Sequence, residues 1–319
     1  MAREPGVARA LRVAKKTVVA DGVVEIVLVD AEGGGLPSWE PGAHVVLHLA
    51  EGLRRHYSLC GADRFDGTWT IAVHRAPASR GGSAFVHDTL RPDAELDVVG
   101  PLNDFPLEEA ERVDLVAGGI GVTPIIAMVR SLRDDGADFR FVYCGRTRAL
   151  MAYLAEVESW NDDRVLVHVD DEQGGRLDLA AWMAVDPEAV LYCCGPEPMI
   201  AFVENAIDDP SRLRVERFVA PEFDTAADTA FDVVDADSGR RVRIDADRGI
   251  LETLEGEGYD LPNSCREGVC GTCETAVVGG VPDHRDSVLT EAERAANDVM
   301  MICCSRSRGE ELVLRFSRW

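Results

Sequence analysis

The run Cys265-Arg266-Glu267-Gly268-Val269-Cys270-Gly271-Thr272-Cys273, followed by Cys303 after a gap of twenty-nine residues, constrains this chain more than any other stretch. A C-x4-C-x2-C run with a distant fourth cysteine is the spacing at which four thiolates hold a [2Fe–2S] cluster. A short loop must then wrap two irons and turn backbone N–H groups toward the sulfides. Gly268 and Gly271 permit that close approach because they carry no Cβ. A zinc site is the competing reading, but zinc loops usually pair cysteines as two C-x2-C knuckles, and this sequence has no such pair. Cys303 and Cys304 are neighbours and only one can complete the set. The twenty-nine-residue gap selects Cys303.

At 319 residues the chain has room for two or three domains with ordinary apolar cores. Its net charge of −24 argues against nucleic acid as a partner, because phosphates require a basic footprint. Arg3, Arg9, Arg12, Lys15 and Lys16 interrupt the start of the chain, leaving no apolar core for a signal peptide or membrane span, so a cytoplasmic protein with no membrane partner is expected. Of the nine cysteines, those outside the cluster set sit in apolar, strand-like contexts that suit reduced thiols.

Between Val7 and Phe105 short β-rich segments alternate with Gly and Pro punctuation, a pattern that predicts an antiparallel barrel. Its informative piece is Arg55-His56-Tyr57-Ser58. Strand alternation puts Arg55 and Tyr57 on one face and Ser58 on the other. Arg suits a phosphate and Tyr an aromatic ring face, although such a pair also simply covers a barrel. Arg80-Gly81-Gly82-Ser83 precedes a short helix over Ala84–Leu90, so free N–H groups and the positive end of the dipole make either a phosphate cradle or an ordinary turn.

From Val113 to Phe218 strands and helices alternate, which predicts a parallel sheet covered on both faces. Strand Asp114–Ala117 runs into Gly118-Gly119-Ile120-Gly121-Val122-Thr123-Pro124, where Thr123 is placed to cap the next helix. A single helix is expected over Ala149–Trp160. A second turn, Cys194-Gly195-Pro196-Glu197-Pro198-Met199, follows another strand and would share the sheet edge where ligands of open α/β sheets bind. Glycines there admit a pyrophosphate, and alternation turns Cys193 away from the site.

The R-x-Y-S strand, the G-G-I-G-V-T-P turn, the C-G-P-x-P-M turn and the cysteine loop, in this order, resemble the phthalate dioxygenase reductase family over nearly the whole chain. The resemblance implies an antiparallel β-barrel flavin domain (1–108), an α/β NAD domain of the ferredoxin–NADP reductase type (109–220), a linker (221–230) and an α+β β-grasp ferredoxin domain (231–319). It implies FMN in preference to FAD, with Arg55, His56, Tyr57 and Ser58 around the flavin and Arg80, Gly81, Gly82 and Ser83 at its phosphate. It places Gly118, Gly119, Gly121, Thr123, Cys194, Gly195, Pro196 and Met199 near NADH and Phe218 beside the flavin ring, unless Phe218 is only a core residue of its strand. Asp283-His284-Arg285-Asp286 also matches the family, but its charge and its position after Gly279-Gly280 predict a solvated turn. No histidine pair has the spacing of a Rieske centre.

NADH releases two electrons together and the cluster accepts them singly, so a flavin must stand between. Thr123 and Cys194 are the residues expected to position the nicotinamide, and no general base is needed. The resemblance implies a monomeric, NADH-dependent reductase serving a separate terminal oxygenase, of the Rieske non-haem iron type or a cytochrome P450. The competing reading is a carrier whose cluster is reduced by another protein. Arg146 and Arg148 lie where a 2′-phosphate could sit, although the resemblance points to NADH.

Overall fold

The computed structural model describes residues 8–49, 53–77, 81–218, 225, 227–263 and 265–316, with the side chain of residue 291 excepted. Arg80, and residues 221–224 and 226 of the expected linker, lie outside the described residues. The chain divides into two compact units, Gly6–Glu216 and Arg217–Trp319.

The first unit opens with β1 (Ala8–Ala20), β2 (Val23–Asp30), β3 (Ala43–His48), β4 (Arg54–Ser58), β5 (Trp69–His74), helix α1 (Gly82–Asp88) and β6 (Glu95–Asn103). The strands form one antiparallel sheet in the order β4-β3-β6-β1-β2-β5. The sheet curls until its edges meet at a single bridge, Leu59 to Ile71, giving a half-open barrel. Inward positions alternate along the strands, so Leu11, Val13, Ile26, Leu28, Val45, Leu47, Trp69 and Ile71 fill the interior. The strand pattern in the sequence reads this sheet well. It misses the first half of β1, where Arg9, Arg12, Lys15 and Lys16 mask the alternation.

A parallel sheet follows, built from β7 (Val113–Gly118), α2 (Val122–Asp134), β8 (Phe139–Gly145), α3 (Leu154–Ser159), β9 (Val165–Val169), α4 (Asp170–Gln173), α5 (Leu179–Met183), β10 (Val190–Cys194), α6 (Glu197–Ala206) and β11 (Leu213–Glu216). Its order is β11-β10-β7-β8-β9, and the central β7 is buried along its whole length, as a strand covered on both faces must be. Val23 and Ala72 of the curled sheet, with Cys60 and Phe105 from the segments after β4 and β6, pack into the same core as Val122, Ile125, Ile126 and Val129 of α2. That shared core joins the two sheets into one unit.

Two expectations change here. The helix expected over Ala149–Trp160 is a short 3-10 turn at Arg148–Leu150 and then α3, because Tyr153 between them is left-handed, with φ 59°. Thr123 does not cap α2. Gly121 occupies the cap, and the Thr123 hydroxyl donates to the Ile120 carbonyl at 3.0 Å.

The second unit contains β12 (Phe231–Asp235), β13 (Arg241–Ile244), α7 (Ile250–Gly256), β14 (Glu274–Gly279), β15 (Pro282–Asp283), α8 (Glu291–Ala296), β16 (Val299–Met301), β17 (Arg306–Ser307) and β18 (Glu311–Arg315). Five strands in the order β13-β12-β18-β14-β16 carry α7, whose Ile250, Leu251 and Leu254 stripe packs with Phe231, Ile244 and Leu312 in the core. Among the described residues no helix is long and apolar enough to cross a membrane.

Candidate functional site

The two turns expected at the carboxyl edge of the parallel sheet meet through their glycines. A Cβ on Gly121 would lie 2.2 Å from the Cys194 carbonyl oxygen, and one on Gly118 would lie 2.7 Å from Pro196 and 2.8 Å from the Met199 sulfur. A Cβ on Gly195 would lie 3.2 Å from the Gly118 backbone. Side chains at these positions would force the turns apart, so backbone N–H groups stay open to a close ligand. Gly119 adopts φ 54°, a conformation glycine takes without strain. Thr123 is buried beneath the turn.

Strand alternation then separates the two adjacent cysteines. Cys193 enters the core on the far side of the sheet, and Cys194 enters the core shared with α2. Burial first, then the carboxyl of Glu216, pushes the Cys194 thiol well above its ordinary value. It is a neutral group that can orient a ligand and not a nucleophile.

Glu216 itself is the residue that sequence reasoning missed. β11 pairs with β10 so that Glu216 stands opposite Cys194, and the Ser58 hydroxyl of β4 donates to Glu216 Oε2 at 3.2 Å. Burial raises its carboxyl to about 8, with Asp104 acting in the same direction and the Ser58 bond against it. Ser58, Cys194 and Glu216 thus converge where the curled and parallel sheets meet. The available signal was an acidic residue at the carboxyl end of the last parallel strand. The strand ends there, so Phe218 is not a strand core residue as one reading had it; it is 40% exposed.

On the curled sheet, Arg55 lies across the start of α1. A Cβ on Gly82 would stand 2.5 Å from Arg55 Cγ and 2.7 Å from Nε, so only glycine lets the guanidinium pass over the helix N-terminus. Gly81, at φ 94°, caps that helix without a side chain, and the Ser83 hydroxyl accepts from the Ala76 N–H at 3.1 Å. Arg55, Gly81, Gly82 and Ser83 are therefore together, an arginine beside a helix N-terminus, a combination that suits an anion. At the other end of α1, Lys16 Nζ donates to the carbonyls of Val86, His87 and Leu90 at 2.7, 2.7 and 2.9 Å, opposite in sign to the helix dipole there. Tyr57 packs at the edge of the barrel core, and His56 sets its ring 5.0 Å from that of His44.

Arg148, at the edge where a 2′-phosphate could sit, is engaged by two carboxylates. Its Nη1 lies 2.5 Å from Glu158 Oε1 and its Nε 2.6 Å from Glu172 Oε1.

In the second unit the cysteine loop has the form a two-iron cluster requires. Gly268 and Gly271 both take φ 74° and Arg266 takes φ 58°. The thiol of Cys265 lies within reach of Cys270 and Cys303, the Glu267 N–H points at Cys265 Sγ at 3.3 Å, and Cys270 Sγ stands 3.2 Å from Thr272 Oγ1. Cys265, Cys270 and Cys273 are buried. Among the described residues no trio of His, Cys, Asp and Glu is gathered as for a single metal ion. Cys304 sits behind the loop, where a Cβ on Gly268 would meet its sulfur at 2.5 Å. The donor chemistry, the left-handed glycines and the N–H turned to sulfur all fit a [2Fe–2S] group.

The Asp283–Asp286 segment is not the solvated turn expected of it. Asp286 is buried under the cluster loop, accepting N–H bonds from Val288 and Leu289 at 3.0 and 2.8 Å, and Ser287 N–H donates to the Gly268 carbonyl at 2.9 Å. Arg285 grips Asp228 through both terminal nitrogens at 2.9 and 2.5 Å. Charge alone suggested solvent; pairing is what allows burial.

Comparison with known proteins agrees with this geometry. A family model described as "2Fe-2S iron-sulfur cluster binding domain" matches residues 233–308, and one described as "Oxidoreductase NAD-binding domain" matches residues 115–205. The chain is 44% identical to phenoxybenzoate dioxygenase subunit beta of Ectopseudomonas oleovorans, over 93% of this chain and 94% of that one. It is 36% identical to phthalate dioxygenase reductase of Burkholderia cepacia, over 95% of this chain and 96% of that one. A solved phthalate dioxygenase reductase, a modular structure for electron transfer from pyridine nucleotides to [2Fe–2S], matches at 34% identity with a TM-score of 0.73 over 97% of this chain and 98% of that chain. An intact type IV self-sufficient cytochrome P450 monooxygenase matches at 40% identity and a TM-score of 0.84. The match covers 97% of this chain and 41% of that one, so this chain spans about two fifths of the P450's length.

Proposed function

The chain belongs to the phthalate dioxygenase reductase family, an NAD-binding, [2Fe–2S] oxidoreductase, and we propose that it passes electrons from NADH through FMN to its cluster and on to a separate terminal oxygenase of the Rieske non-haem iron type. The observation that carries the reading is the meeting of the Gly118–Thr123 and Cys194–Met199 turns with Ser58 and Glu216, in a chain that also holds the cysteine loop. The division into 1–108, 109–220, 221–230 and 231–319 belongs to this reading, as do the monomeric state and a cytoplasmic setting.

Arg55 and the N–H groups at Gly81, Gly82 and Ser83 take the flavin phosphate, with Arg80 beside them in sequence, while His56, Tyr57 and Ser58 line the strand along the ring and its chain. Phe218, two residues beyond Glu216, is assigned to the flavin ring. Gly118, Gly119, Gly121, Gly195, Pro196 and Met199 leave room for the nucleotide, and Thr123 and Cys194 orient its nicotinamide. Cys265, Cys270, Cys273 and Cys303 hold the cluster. When bound, the flavin accepts two electrons together and releases them singly. The protein's part is orientation and exclusion of water, and no side chain needs to take a proton from the substrate. Arg148, neutralised by Glu158 and Glu172, favours NADH, which has no 2′-phosphate.

The P450 match supports a second partner class. NADH oxidation by the purified chain is expected to couple to product formation when a Rieske-type oxygenase is added. Coupling to a P450 alone would move the assignment. The flavin released on denaturation should chromatograph as FMN, and stoichiometric FAD would overturn that part.

A further inference from the structure

Away from the site, a polar cluster joins the curled sheet to the parallel sheet. Tyr153, left-handed at the start of α3, donates its phenol to Glu25 Oε2 of β2 at 2.9 Å, and the Cys60 sulfur stands 3.2 Å from the Tyr153 phenol oxygen. Arg130 of α2 closes the cluster with four bonds. It donates to the Cys60 and Gly61 carbonyls at 2.7 and 3.1 Å and forks onto Glu156 of α3 at 2.8 and 2.6 Å, its guanidinium 5.7 Å over the Tyr153 ring.

Two observations separate this cluster from ordinary packing. A tyrosine held at φ 59° is strained, and such strain persists only where surrounding contacts over-determine it. The cluster also reaches the nucleotide turn by two routes. Arg130 lies on α2, which begins immediately after Gly119–Gly121. The Tyr143 phenol, meanwhile, is shared between the carbonyls of Ala152 and Gly119, at 3.0 and 3.3 Å. Cys60 is fully enclosed and its thiol is pushed up to about 12 by burial, so it serves as a neutral partner.

We propose that Tyr153 is a positioning residue for hydride transfer: through Glu25, Cys60 and Arg130 it fixes the Gly119–Gly121 turn, and with it the nicotinamide, against the sheet that bears Arg55, Tyr57 and Ser58. The proposal rests on the reading that NADH delivers its hydride to a flavin in this unit. Hydride transfer is steep in donor–acceptor placement, and a misplacement of about 1 Å can cost on the order of a hundredfold in rate. Removing one phenol oxygen leaves the apolar core and the Arg130 bonds to the Cys60 and Gly61 carbonyls intact but takes away the contacts of Tyr153 with Glu25 and Cys60 across the two sheets.

The test is anaerobic stopped-flow reduction of the flavin-loaded, cluster-loaded protein by saturating NADH and by NADH deuterated at the transferred position. Tyr153→Phe is expected to lower the limiting rate of flavin reduction about tenfold or more, weaken the long-wavelength charge-transfer absorbance and change the isotope effect, with NADH affinity within about threefold of wild type. Glu25→Ala should behave alike, and Glu25→Gln, which keeps an acceptor oxygen for the phenol, should fall between. A wild-type limiting rate and charge-transfer band in Tyr153→Phe overturns the proposal, including where only its melting temperature falls. If that variant does not retain flavin, Arg130→Lys is measured in the same way, and a wild-type rate there has the same meaning. Absence of flavin bleaching in the wild type itself would refute the underlying electron-entry reading, and the proposal with it.

Discussion

Glu216 binds its proton more tightly in the folded protein than in the unfolded chain, because burial raises its carboxyl from 4.5 to about 8. The sign follows from linkage. Below about pH 4.5 both states hold the proton and the group's favourable contribution is complete. Between there and about pH 8 only the folded state holds it, so stability falls as pH rises. Glu216→Gln removes that titration. Its stability relative to wild type should therefore climb between pH 5 and pH 8, by on the order of 1–4 kcal/mol, as read by urea unfolding at several pH values. A pH-independent difference would contradict the assignment. Cys303→Ser should lose iron and the visible cluster absorbance while NADH still reduces a small artificial acceptor, and Cys304→Ser should keep both; iron analysis decides between the neighbours. The cysteine loop could be read from sequence because its geometry is local, nine residues from Cys265 to Cys273. Glu216 could not, since its partner Ser58 lies 158 residues away.

At the scale of elements, α1 is held at both ends, by Arg55 across its start and by Lys16 at its close. A short helix with its last carbonyls satisfied by a cation keeps its first N–H groups aimed in one direction. Lys16→Met is expected to weaken rebinding of FMN to flavin-stripped protein by about tenfold, the effect of losing ~1–2 kcal/mol of capping. Unchanged affinity in a fluorescence titration would show that the helix needs no such support. The short-range pattern found most of the strands and helices to within a few residues. It failed where tertiary contacts override local preference. Tyr153 interrupts the helix expected over Ala149–Trp160, its phenol held by Glu25 and Cys60, and Asp283–Asp286 is buried because Arg285 finds Asp228, 57 residues earlier.

Across the whole molecule, the order of signatures in the sequence, R-x-Y-S strand, glycine turns and cysteine loop, is the order in which the curled, parallel and cluster-bearing folds appear. The union of the first two sheets into one unit was not legible, because it depends on Val23, Cys60 and Ala72 meeting α2, residues that read as ordinary strand positions. The central claim is that NADH electrons enter at the flavin and leave through the cluster. Rapid anaerobic mixing of the flavin- and cluster-loaded protein with NADH, recorded at the flavin and cluster wavelengths together, tests it directly. The account predicts flavin bleaching first and cluster bleaching after it, with the first phase intact and the second missing in Cys303→Ser. Cluster reduction by NADH in flavin-stripped protein, or no flavin bleaching in the wild type, would contradict it.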